Sequence, residues 1–156
     1  MCFVCGLENI AGLKASFFET AGDCLVALFT PQNEHQSYPG RMHGGIAATI
    51  LDETIGRAVM IKSGSEMWGV TIDLSIEYKK PVPLGVELKV VGRITEENSR
   101  IFSGSGEIIL PNGDLAVTAR GRYMKVPLSR ITDFDPDQFD WAVVGNDNDP
   151  EFIEMG

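Results

Sequence analysis

Residues Met42 to Lys62 read MHGGIAATILDETIGRAVMIK, and this stretch decides the fold. Its apolar residues Ile46, Ile50, Leu51, Ile55, Val59 and Ile61 recur at helical spacing, with Lys62 in the last turn and Gly64 just past it. A cation there meets the negative end of the helix dipole, and a glycine terminates the helix without strain. The spacing predicts one long helix. With successive side chains about 100° apart, apolar groups cover most of its circumference, so the helix is expected to be buried. A narrow stripe of Gly45, Thr49, Asp52 and Gly56 is the exception.

Outward from the helix, the period changes to two. In Trp68 to Lys80, Val70, Ile72, Leu74, Ile76 and Tyr78 alternate with Thr71, Asp73, Ser75, Glu77 and Lys79, the pattern of a half-buried strand. Pro81-Val82-Pro83-Leu84-Gly85 breaks it, and Val86, Leu88, Val90, Gly92 and Ile94 begin a second alternating run. Two further strands, Ile101 to Leu110 and Leu115 to Val126, meet at Pro111-Asn112-Gly113-Asp114, where Asn-Gly suits a tight hairpin. Before the helix, Lys14 to Thr20 and Asp23 to Thr30 read as shorter strands. One apolar helix without a second helix to cover it must be covered by sheet, so the expected class is α+β: a long central helix wrapped by a five- to six-stranded antiparallel sheet.

The chain's 156 residues suit one domain, and its net charge of -9 is unevenly spread. From Thr132 to Gly156 there are eight acids and no Lys or Arg, which leaves a nearly neutral body. The expected division is a folded domain over residues 1–131 and an acidic C-terminal extension over 132–156 without a catalytic role. A neutral body argues against nucleic acid, whose binding rests on phosphate neutralisation. No apolar run is long enough for a membrane span, and the first residues lack the features of a secretory signal, so a cytoplasmic location is expected. Cys2, Cys5 and Cys24 are odd in number and imply no disulfide framework. A zinc site would need further ligands at no recognised spacing, so no metal is expected.

The loop from His35 through Gln36, Ser37, Tyr38, Pro39 and Gly40 to His43-Gly44-Gly45 runs straight into the helix. Two glycines at a helix start leave orphan backbone N–H groups unshielded, where the dipole favours negative charge. Gly44 and Gly45 are therefore candidate donors to an oxyanion. Asp52, on the same stripe, is costly to bury unless hydrogen-bonded or used, which makes it the candidate general base or nucleophile. Gly44 and Asp52 stand eight residues apart, roughly 12 Å along a helix axis, too far to reach one carbonyl together. If they cooperate, they come from two copies of the chain, and self-association as a homodimer or homotetramer is expected.

The stretch His43-Gly44-Gly45-Ile46-Ala47-Ala48-Thr49-Ile50-Leu51-Asp52-Glu53 resembles the signature of the hotdog-fold thioesterases related to phenylacetyl-CoA thioesterases and the thioesterase superfamily members. Cys2-Phe3-Val4-Cys5-Gly6 with Gly12-Leu13, the His35-Gln36 to Gly40 loop, and Tyr78 with Pro81 and Gly85 extend the resemblance over roughly residues 1–127. It implies a hotdog fold and hydrolysis of an acyl-CoA thioester without metal or redox cofactor, the Gly44 amide polarising the carbonyl opposite Asp52 of another subunit. It gives His43 an orienting role. It places Ser37, with Gln36 adjacent, where relatives carry an asparagine, and Thr71 where relatives place a serine that holds the attacking water. The strand alternation, by contrast, puts Thr71 opposite the apolar face. A CoA substrate would also need cations for its phosphates, for which Arg120, Arg122, Lys125 and Lys80, with Lys79, are candidates. Two alternatives remain beside hydrolysis: an acyl-CoA-binding or regulatory module on the same fold, and hydratase or dehydratase chemistry.

Overall fold

The computed structural model describes residues 1–131, 145 and 149–153. Six strands form one antiparallel sheet: β1 (Ser16–Glu19), β2 (Cys24–Phe29), β3 (Met67–Tyr78), β4 (Leu88–Glu97), β5 (Ile101–Ile109) and β6 (Leu115–Pro127), in the order β1-β2-β4-β5-β6-β3. The predicted hairpin between β5 and β6 is present and β4 pairs with β5, but β3 is not the neighbour of β4, as consecutive alternating runs would suggest: it crosses over to pair with β6. The expected α+β architecture is thus the observed one. Its acidic extension lies largely outside the described residues.

The helix α1 spans Gly44–Arg57, with His43 as its N-cap. It is shorter than the predicted Met42 to Lys62. Ala58 closes back on the Ile55 carbonyl at 3.1 Å, a three-residue turn that tightens the chain and sets off a separate short helix, α2 (Met60–Ser63). A further short helix, α3 (Leu128–Ile131), follows β6. Among the described residues, no helix is long and apolar enough to cross a membrane.

Helix α1 packs on one face of the sheet, burying Ala47, Ile50, Leu51, Thr54, Ile55 and Gly56 against a core that includes Leu88, Val90, Phe102, Ile108, Val117 and Tyr123. Glycines make this close seating possible. A Cβ at Gly69 would stand 2.6 Å from the Gly56 carbonyl oxygen, and one at Gly92 would stand 2.7 Å from that of Thr54. Such contacts cannot be relieved, because both partners are backbone.

Strand β3 departs from the simple alternation. Its register with β6 shifts between Thr71 and Asp73, a β-bulge that flips the facing of every residue before it. Leu74 and Ile76 face the core as expected, but Val70 and Ile72 turn outward and are 42% and 45% exposed. Gly69 and Thr71 take the inner face instead.

Candidate active site

The bulge brings Thr71 to Asp52. The Thr71 hydroxyl donates to Asp52 Oδ1 at 2.8 Å, which corrects the expectation that Thr71 lies opposite the inner face. Tyr123 of β6 donates its phenolic O–H to the same Oδ1 at 3.2 Å. One carboxylate oxygen is thus held by two hydroxyls from two strands, and Oδ2 has no hydrogen bond from the described residues. Asp52 itself is half-buried.

Tyr123 was not legible as a site residue. It sits on the buried face of β6, where period-two patterning reads it as core, and it is indeed fully buried and stacked on Phe102 with ring centroids 5.0 Å apart. The available signal is Gly121, two residues earlier on that face: a Cβ there would lie 2.7 Å from the Tyr123 ring. Burial, then the Asp52 charge, push the Tyr123 hydroxyl well above its ordinary range, so it stays protonated as a donor.

A cavity of about 330 Å³ opens beside Asp52, lined by Cys2, Glu53, Gly56, Arg57, Trp68, Gly69 and Thr71 as well. Glu53 accepts an ion pair from Arg57 Nε at 3.1 Å, and the guanidinium lies over the Phe17 ring, 4.5 Å from its centroid. Burial raises the Glu53 carboxyl pKa despite Arg57, and the Asp52 charge adds to the rise. Burial also pushes the Cys5 thiol up to about 11. A larger cleft of about 630 Å³, lined by Ile10, Lys14, Phe18 and Gln32 among others, does not contain Asp52.

At the helix start the two glycines separate. His43 Nδ1 accepts the Gly45 N–H at 2.8 Å, so that donor is committed to capping, and the expected pair of oxyanion donors is reduced to one. The Gly44 N–H meets no acceptor among the described residues. Tyr78 closes over this point, donating to the Gly44 carbonyl at 2.9 Å, with its ring about where a Cβ would touch it at 3.3 Å.

The loop before the helix is held by its own polar groups. The buried His35 accepts the Gln32 N–H on Nδ1 at 2.9 Å, which leaves Nε2 to donate to the Ala11 carbonyl at 3.0 Å. Gln36 Oε1 accepts the Gly40 N–H at 2.8 Å, while the exposed Ser37 engages Arg41 through its backbone. Gln36 is thereby occupied within the loop and Ser37 keeps its side chain available.

The predicted phosphate-binding cations are mostly paired within the chain. Arg122 Nε meets Asp73 at 2.6 Å, Lys125 meets Glu97 at 2.7 Å, and Lys80 meets Asp114 at 2.7 Å. Lys79 joins Glu77 at 3.2 Å. Arg120 is exposed on β6 and enters no ion pair among the described residues.

The comparisons with known proteins agree with this frame. Acyl-coenzyme A thioesterase THEM4 of Rattus norvegicus is 40% identical over 83 residues, 53% of this chain and 34% of that protein. The match with THEM4 thus spans about a third of that relative's length. Acyl-coenzyme A thioesterase 13 of Mus musculus is 24% identical over 112 residues, 72% of this chain and 79% of that protein. Among solved structures, smu.793 of Streptococcus mutans bound to acetyl CoA superposes with a TM-score of 0.65 at 20% identity, covering 78% of this chain and 92% of that one. The fold is that of the hotdog thioesterases. A family model for the thioesterase superfamily matches residues 39–117, from the glycine loop through Asp52 and into β6, and the chain belongs to that superfamily.

Proposed function

We propose that this chain hydrolyses an acyl-CoA thioester, with Asp52 as general base or nucleophile and the Gly44 N–H of a second copy as oxyanion donor. The observation that carries the reading is the Asp52 carboxylate, which lines the cavity, is pinned through Oδ1 by Thr71 and Tyr123, and has no hydrogen bond to Oδ2 from the described residues. Oδ2 keeps lone pairs for a water proton or for direct attack on the thioester carbon. Named acyl-CoA thioesterases among the relatives, and the acetyl CoA bound to a structural neighbour, support this substrate class.

As water or Asp52 attacks, negative charge develops on the carbonyl oxygen, and an uncommitted N–H at the positive end of α1 suits it. Gly44 and Asp52 lie eight residues apart on one helix, so a shared site requires two protomers. Among the described residues the 12-residue β3 pairs on one side only, with β6, and exposes Val70 and Ile72. A long unpaired edge with apolar side chains needs cover, and a two-fold partner supplies it. The assembly is a homodimer or a pair of homodimers. Arg120, with the paired Arg122, Lys125 and Lys80 exchanging partners, serves the phosphates. The catalytic domain is residues 1–131. The free state of all three cysteines fits a reducing, cytoplasmic setting.

The test is release of free thiol from an acyl-CoA panel by wild type and Asp52→Asn. Thiol release by wild type and its loss in the variant is expected. Binding without turnover would favour the non-catalytic module, and equal rates would remove Asp52 from the mechanism.

A further inference from the structure

The N-terminal turn sets Cys5 beside Cys2, which lines the cavity next to α1. The ligand atoms of Cys2, Cys5 and Glu53 all lie within 4.8 Å of one another. We propose that Cys2, Cys5 and Glu53 bind one thiophilic divalent cation of the zinc type, with its fourth position open towards the cavity.

Three features support this site. The first is rigidity. Gly6 donates to the Cys2 carbonyl at 3.0 Å, and a Cβ at Gly6 would stand 2.5 Å from that oxygen, so the tight turn joining the two cysteines requires glycine. The residues between them are fixed to the body: Leu13 donates to the Phe3 carbonyl and Ala15 to that of Val4, each at 2.8 Å, and Val4 is buried. The second is polarity. The Val4 N–H points to Cys2 Sγ at 3.4 Å, so that sulfur is already held as an acceptor in a fixed position.

The third is charge and spacing. Two thiolates and a carboxylate carry three negative charges. A divalent ion leaves one, and Arg57, paired with Glu53 at 3.1 Å, offsets it. Tetrahedral zinc, with bonds of about 2.3 Å to sulfur and ~2.0 Å to oxygen, separates its ligand atoms by roughly 3.5–3.8 Å. Side-chain rotation alone has to supply the contraction from 4.8 Å. Cys2 and Cys5 bind as thiolates and release their two protons, and water completes the coordination. This proposal does not rest on the thioesterase reading.

The experiment titrates the reduced, metal-free protein with Co²⁺ and reads the thiolate-to-cobalt charge-transfer band, then repeats it for Cys2→Ser, Cys5→Ser and Glu53→Gln. One ion per chain is expected for wild type, loss of the band in either serine variant, and about tenfold or greater weakening in Glu53→Gln. Zn²⁺ should raise the Tm of wild type and leave that of Cys2→Ser/Cys5→Ser unchanged. A reduced wild type without the band, or an undiminished band in Cys5→Ser, overturns the proposal. So does a protein isolated with a Cys2–Cys5 disulfide that takes no cobalt after reduction.

Discussion

Thr71 reaches Asp52 at 2.8 Å because β3 shifts register once, between Thr71 and Asp73. Without that shift the hydroxyl would stand on the far side of the sheet and the carboxylate would lose one of its two side-chain donors. The bulge therefore belongs to the proposed catalytic machinery as much as the side chains do.

Removing the charge of Asp52 tests its role directly. Asp52→Asn keeps the shape and the Thr71 bond, so kcat should fall by about 10²–10⁴-fold with folding intact. Thiol-release kinetics together with circular dichroism check it. Thr71→Val should cost less, because Tyr123 still holds Oδ1.

Tyr123 separates packing from polarity. Tyr123→Phe retains the ring stacked on Phe102 and loses only the hydroxyl, for about 1 kcal/mol of stability, whereas Tyr123→Ala opens the core and should cost about 3–5 kcal/mol. Urea unfolding at fixed pH measures both.

The two-protomer site makes a prediction that an intrachain site does not. Gly44 is the first helical residue, where proline is tolerated, so Gly44→Pro deletes the free N–H and keeps the helix start, with Tyr78 yielding slightly to the ring. Gly44→Pro and Asp52→Asn should each be nearly inactive alone. Unfolded together and refolded at equal amounts, they should regain about a quarter of wild-type activity, since half of the pairs are mixed and each mixed pair holds one intact site. No regain would place both groups in one chain.

The seating of α1 predicts the effect of a single methyl group. Gly69→Ala forces a Cβ against the Gly56 carbonyl at 2.6 Å and the Phe102 ring at 2.8 Å, and the helix must lift from the sheet. A loss of about 1–3 kcal/mol, read by thermal or urea unfolding, is expected. Gly22→Ala, with open space around it, should change stability little.

Acid should weaken the fold through Glu97. Lys125 and Lys62 hold its carboxyl down to about 2 from an ordinary 4.5. A pKa lowered in the folded state contributes stability that is complete above 4.5 and lost as pH falls towards 2. The pairs are partly solvated, so the effect is modest, about 1 kcal/mol, and Glu97→Gln should flatten this part of the stability profile.

Local patterning accounts for most of the architecture. The helical period from Ile46 to Ile55, the alternation in β5 and the Asn112-Gly113 turn are each written in neighbouring residues, because backbone geometry fixes which side chains share a face. The break at Ala58 was not, since Ala58 and Val59 carry no helix-stopping residue and the turn there forms through backbone bonds alone. Asp52 stood out as a charge on an apolar helix. Its partner Tyr123 did not, because a buried tyrosine in a strand reads as core until its hydroxyl is seen to meet something.

Sequence by itself determined the elements, the carboxylate and the glycine loop, all of which depend on contacts within a few residues. Only the tertiary structure decided what those parts face. A one-residue bulge inverted the first half of β3, Tyr123 of β6 reached the Asp52 carboxylate, and packing of the N-terminal turn set two cysteines beside Glu53. Each outcome depends on distances across the chain, which periodicity cannot encode because it records only which residues lie on the same side.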